Sequence, residues 1–155
     1  MLDTAITLES TMRPRRSAAA QEPRICVGSF PGRLDQVSQA RAFAAAFLHE
    51  WPRADDAMLL IGELCANAVL HTRSGRPGGM FTLRAMMAGD GLRAEVQDQG
   101  SGWDGRLDAA PSPHGLFLLR QVATTCGTRR SPSGWTTWFT LGHPGVRAWV
   151  PFPAE

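Results

Sequence analysis

The sequence contains no lysine; its 16 basic residues are all arginine. A Schiff-base lysine is therefore excluded, and no P-loop of the form GxxxxGK[ST] can be written. Cysteine is scarce. Cys26, Cys65 and Cys126 are odd in number, far apart, and each sits in an apolar run. That pattern argues against a disulfide framework or a zinc site and for buried free thiols in a reducing cytoplasm. Long apolar runs are missing as well, so no segment has the length of a membrane span. The first twenty residues are polar and broken by Pro14, without the apolar stretch of a signal peptide. Charge of either sign is low: a net charge of +2 leaves no basic footprint for direct nucleic-acid binding.

What remains is the composition of a globular domain. Apolar residues make up 43% and charged residues 19% of 155 residues, the length of one domain with its own core. Residues 1–24 have little periodicity and read as a solvated arm. Residues 143–155, with Pro144, Pro151 and Pro153, read as an extended tail. Between them, the 25–142 stretch is ordered. Arg24 to Phe30 reads as a strand ended by Pro31-Gly32. Leu34 to Trp51 carries apolar residues at helical spacing, and Pro52 stops it. Asp55 or Asp56 is placed to cap a second helix reaching about Thr72. Met80 to Met87 and Leu92 to Asp98 read as strands joined through Gly89-Asp90-Gly91. Gly115 to Cys126 reads as a third helix. Thr128 to Arg130 and Gly134 to Leu141 read as two closing strands. The order β-α-α-β-β-α-β-β predicts an α+β fold, a sheet with helices on one face.

The second helix contains ELCANAVLHT, Glu63 to Thr72, with polar residues at Glu63, Asn67 and His71. At about 100° per residue these fall on one stripe about 80° wide, bordering the apolar arc. Three readings stand side by side. The stripe is a solvated edge, a metal site, or the floor of a pocket. For zinc the set is poor, because Asn is a poor ligand. An Asn oxygen suits Mg²⁺, which takes few protein ligands and completes its shell with substrate phosphates. In that reading Asn67 holds the metal on a nucleotide, and Glu63, one turn earlier, is a base nearby.

Two glycine-rich stretches follow. Val96 to Trp103 ends a strand in Asp98 and then places Gly100 and Gly102. Such glycines let backbone approach a ligand, and a strand-end carboxylate can accept from a base amino group, although Asp-x-Gly also marks ordinary turns. After Pro113-His114, Gly115 opens a helix, and a helix start offers free N–H groups to an anion.

Taken in this order, ELCANAVLH resembles the N box of the GHKL, or Bergerat-fold, ATP-binding superfamily. Asp98-Gln-Gly-Ser-Gly102 resembles its G1 box, Gly115-Leu-Phe-Leu-Leu the end of its G2 box, and Gly134-Trp-Thr-Thr-Trp-Phe its closing strand. The Phe30-Pro-Gly-Arg start and the alanine-rich first helix resemble the branch of anti-sigma factor serine/threonine kinases. The resemblance implies a two-layer sandwich, with a mixed, mostly antiparallel sheet covered on one face by about three helices. It implies Mg²⁺ on Asn67 and a general base at Glu63. It implies adenine contacts from Asp98, Gly100, Gly102 and Thr136, and phosphate-side contacts from the helix start at Gly115 and Leu116. Arg73 and Arg76 are candidates to neutralise phosphate. His71 carries no assigned role. The implied cofactors are ATP and Mg²⁺. The implied partners are a sigma factor and a STAS-type anti-anti-sigma protein, in the cytoplasm, and a homodimer stays open. One departure is plain: Pro113 stands where the G2 box usually has its first glycine, and proline has no N–H for a phosphate. That departure favours the alternative of a non-catalytic, nucleotide-gated partner-binding switch.

Overall fold

The computed structural model describes residues 22–100 and 113–142. Its elements are β1 (Arg24–Pro31), α1 (Leu34–Phe47), α2 (Ala54–His71), a 3-10 turn at Arg73–Gly75, β2 (Met80–Ala88), β3 (Gly91–Gln97), α3 (Pro113–Val122), β4 (Thr125–Ser131) and β5 (Gly134–Leu141). The strands make one sheet in the order β1-β2-β3-β5-β4. All four pairings are antiparallel. The expected sheet allowed a parallel pair, and among the described residues there is none. β3 and β4 do run in the same direction, joined across α3, but β5 lies between them.

Strand alternation sorts the side chains into two sets. Phe81, Leu83 and Ala85 of β2, Leu92, Ala94 and Val96 of β3, and Phe139 and Leu141 of β5 point into one core. The helices answer with Ala40 and Ala44 of α1 and Leu60, Ile61, Leu64, Cys65 and Ala68 of α2. Alanine at the α1 contact lets that helix approach closely. This is the two-layer α+β sandwich that the sequence predicts. Burial pushes the Cys65 thiol up to about 12 and that of Cys26 to about 11. Both are protonated and unreactive at neutral pH, as expected of core thiols.

On the other sheet face, β3 presents Arg93, Glu95 and Gln97. Glu95 is fully buried; its Oε1 accepts from Arg93 Nε at 2.9 Å and Nη2 at 2.7 Å. The Arg93 guanidinium lies 4.2 Å from the ring centre of Trp138. Glu95 Oε2 has no hydrogen bond, and Arg129 Nη2 stands 3.7 Å away.

Several boundaries differ from the sequence expectation. The first helix stops at Phe47 rather than Trp51, because the chain turns at once: Trp51 N–H bonds Leu48 O, and Glu50 takes a positive φ of 63°. The residue capping α2 is Arg53, not Asp55 or Asp56; the two carboxylates lie in the first turn, where the helix dipole favours them. Arg53 bonds Asp56 at 3.1 Å and reaches Val122 O at 3.4 Å, so it links the start of α2 to the end of α3. The third helix begins at Pro113 and ends at Val122, and Cys126 lies in β4, opposite Phe139. Proline is well suited to a first helical turn, where its missing N–H has no partner to lose.

Candidate functional site

The polar stripe of α2 is where the periodicity placed it. Glu63, Asn67 and His71 are half-buried, beside the fully buried Leu60 and the buried Leu64. Gly62 faces Arg41 of α1, which fixes the rotation of the helix. The Glu63–Asn67–His71 flank is therefore turned away from α1. Among the described residues none of these three side chains makes a hydrogen bond or ion pair, so the line is not a self-satisfied network. No group of three His, Cys, Asp or Glu able to hold a metal occurs among the described residues. Asn67 therefore fits Mg²⁺ only as one ligand among others supplied by phosphates.

The end of α2 is tied directly to the loop after β3. Arg73 N–H donates to Gly100 O at 2.6 Å, and Gln99 N–H donates to Ser74 Oγ at 3.0 Å. Ser74 is completely buried, and its own N–H bonds Thr72 Oγ1 at 3.0 Å. These bonds hold the helix end that carries Asn67 and His71 against the strand end that carries Asp98. Nothing in the sequence marks Ser74; only its burial reveals the role.

Asp98 is 5% exposed. Its Oδ1 accepts from Gly100 N–H at 2.7 Å and from Trp135 N–H at 3.3 Å. Among the described residues nothing bonds Oδ2, the oxygen left to meet a ligand donor. Burial pushes the Asp98 carboxyl above its ordinary value, while the two N–H bonds pull it back. Gly100 adopts φ +77°, the left-handed backbone that brings its N–H round to Oδ1. Gly134 passes so close behind that a Cβ there would lie 2.1 Å from Asp98 O and 2.5 Å from Gly100 N. The β4–β5 turn is thus packed on the Asp98 loop, backbone against backbone.

The register sets the two threonines of β5 apart. Thr136 pairs with Gln97, on the helix-free face with Glu95 and Arg93. Thr137 pairs with Val96 and looks to the helix layer, the side on which Asp98 follows Val96. Both are buried. Gly115 and Leu116 lie in the first turn of α3, near the free N–H groups of its start. Gly102, together with the rest of 101–112, lies outside the described residues, as do nearly all of the expected arm 1–24 and the tail 143–155.

A helix with a Glu–Asn–His line unpaired among the described residues, a buried strand-end aspartate and a helix start lie over one antiparallel sheet in an α+β domain. The family model of the histidine kinase-like ATPase domain matches residues 30–141, and the chain belongs to that family. No curated protein matches. Twelve chains of solved structures do. One is the crystal structure of the RsbU and RsbW domains of Rv1364c from Mycobacterium tuberculosis, with a TM-score of 0.57 and 21% identity. The match covers 76% of this chain and 32% of that one. At that identity the likeness is one of fold.

Proposed function

We propose that the chain is a Mg²⁺-ATP-binding regulatory protein of the anti-sigma type, a cytoplasmic serine/threonine kinase acting on a STAS-type anti-anti-sigma partner. The observation that carries the reading is the bonded junction between the Asn67 helix and the Asp98 loop. It ties the end of the helix that carries Asn67 to the loop that carries Asp98, which supports a phosphate-side amide and a base-recognising carboxylate acting on one ligand. The family membership supports nucleotide binding, and the neighbour's RsbW domain supports the regulatory class.

Each residue has a role in that cleft. Asp98 accepts the adenine amino group. Thr137, rather than Thr136, offers the nearby hydroxyl, because it lies on the helix side of β5. Asn67 gives its amide oxygen to Mg²⁺, which when bound neutralises phosphate charge. The first-turn N–H groups of Gly115 and Leu116 face the phosphates. Glu63 orients the partner's serine hydroxyl and takes its proton as that oxygen bonds the terminal phosphorus and the bond to the ADP oxygen breaks. Transfer of labelled γ-phosphate to cognate STAS proteins tests this. Glu63→Gln is expected to abolish transfer and keep ATP binding, whereas Asn67→Ala loses Mg²⁺-dependent binding. Absence of transfer to every candidate partner refutes the kinase.

A second reading has an observation of its own. Pro113 occupies the first position of α3, so that turn has one N–H fewer for a phosphate. Tight ATP binding that changes partner affinity without any transfer identifies a nucleotide-gated switch.

A further inference from the structure

Beside Gly100 a cavity of about 330 Å³ opens between the end of α2 and the β4–β5 turn. Among the described residues its polar lining comes from Arg73, Gln99, Arg130, Ser131 and Ser133 and includes no carboxylate. Neither guanidinium has a hydrogen-bond or ion-pair partner among the described residues. Gln99 Oε1 accepts from Met80 N–H at 3.1 Å, which leaves both hydrogens of its amide free to donate. Ser133 Oγ accepts from Gln97 Nε2 at 2.9 Å and keeps its own hydrogen to give. Two cations, an amide and a hydroxyl therefore present donors to one space, and its side-chain acceptors are largely used.

We propose that this cavity is an anion subsite for a phosphoryl or carboxylate group, divided from the base-binding side by the Gly100 peptide. A lining rich in donors, with two guanidiniums, selects such a ligand because each anionic oxygen can take several charge-assisted hydrogen bonds; the Ser131 hydroxyl is turned to Gly134 O at 3.2 Å. The backbone that frames the subsite is anchored on both sides. Arg73 is anchored through its N–H to Gly100 O, and the turn that carries Arg130 and Ser133 is packed on Asp98 through Gly134. A free anion and an acidic or phosphorylated side chain of a partner protein share this chemistry.

The test uses the full ¹⁵N-labelled chain, titrated with inorganic phosphate at constant ionic strength and, in a second arm, with a Gly-phosphoserine-Gly peptide. Saturable shifts are expected at the Gly100, Ser131 and Ser133 amides. Arg73→Gln and Arg130→Gln are each expected to weaken Kd by about tenfold, the loss of one charge-assisted hydrogen bond. Both side chains are exposed, so the rest of the spectrum should not move. Asp98→Asn is expected to weaken ATP binding roughly ten- to hundredfold and retain phosphate binding, which separates this subsite from the nucleotide reading. Tighter binding of the peptide assigns the site to a partner protein, and tighter binding of phosphate to a free anion. Non-saturating shifts, or an unchanged Kd in the double variant, overturn the subsite.

Discussion

Asp98→Asn puts the Asp98 reading at risk in two opposite directions at once. The substitution keeps an oxygen for the N–H groups of Gly100 and Trp135 and removes a charge that burial disfavours. In the folded protein the carboxyl is raised above its ordinary value of 3.8, chiefly by desolvation. The folded state therefore holds this proton more tightly than the unfolded chain does. The group's contribution to stability is fully present below pH 3.8 and is lost as pH rises through the folded value. At pH 7 the ionised carboxylate is a standing cost, which the asparagine variant escapes. The nucleotide-free variant is expected to melt above the wild type at pH 7, and the gap should close as pH falls towards 3.8. Nucleotide binding should move the other way. The acceptor for the base amino group becomes an amide, whose NH₂ faces another NH₂ if its oxygen stays with Gly100. Loss of a hydrogen bond to a charged group is worth about 1.5–3 kcal/mol, or a roughly ten- to hundredfold weaker Kd. Thermal melts across pH and calorimetric titration with Mg²⁺-ATP read both effects. Unchanged ATP affinity refutes Asp98 as the base acceptor. A variant that melts below the wild type at pH 7, with no pH-dependent gap, refutes the desolvation argument.

Three further outcomes follow from the geometry. Thr137→Val should weaken ATP binding by about 0.5–1.5 kcal/mol while Thr136→Val leaves Kd unchanged, as measured by titration; the reverse order would overturn the face assignment. Ser74→Ala removes the acceptor of the Gln99 N–H and should cost about 1–2 kcal/mol in a denaturant melt. Gly134→Ala would set a methyl 2.1 Å from Asp98 O, and the forced backbone shift should cost about 2–3 kcal/mol and weaken ATP binding with it. A Gly134→Ala protein with wild-type stability and affinity would show that the turn yields freely.

The helix signal was the most legible part of the sequence. Glu63, Asn67 and His71 share a line because a helix repeats every 3.6 residues, and that line borders the buried arc of Leu60, Ile61 and Leu64 in the fold as in the pattern. Helix ends were less legible. Cys126 continued an apolar run and read as helix, but pairing with Phe139 drew it into β4. The third helix read as starting at Gly115 and instead starts at Pro113.

By itself the sequence determined the fold class, the polar line of the second helix and the aspartate at the end of the third strand. Each rests on local periodicity or on the chemistry of a short motif. Tertiary structure alone decided which β5 threonine faces the helices. A strand reverses side at every residue, so Thr136 and Thr137 are separated only by their register against Gln97 and Val96. It alone decided that Ser74 and Gly134 hold the site, since a buried hydroxyl and a backbone near-contact arise between segments far apart in the chain. It also brought Arg73 and Arg130 to one cavity across 57 residues of sequence. No local pattern encodes that meeting, because it depends on where the β4–β5 turn comes to rest.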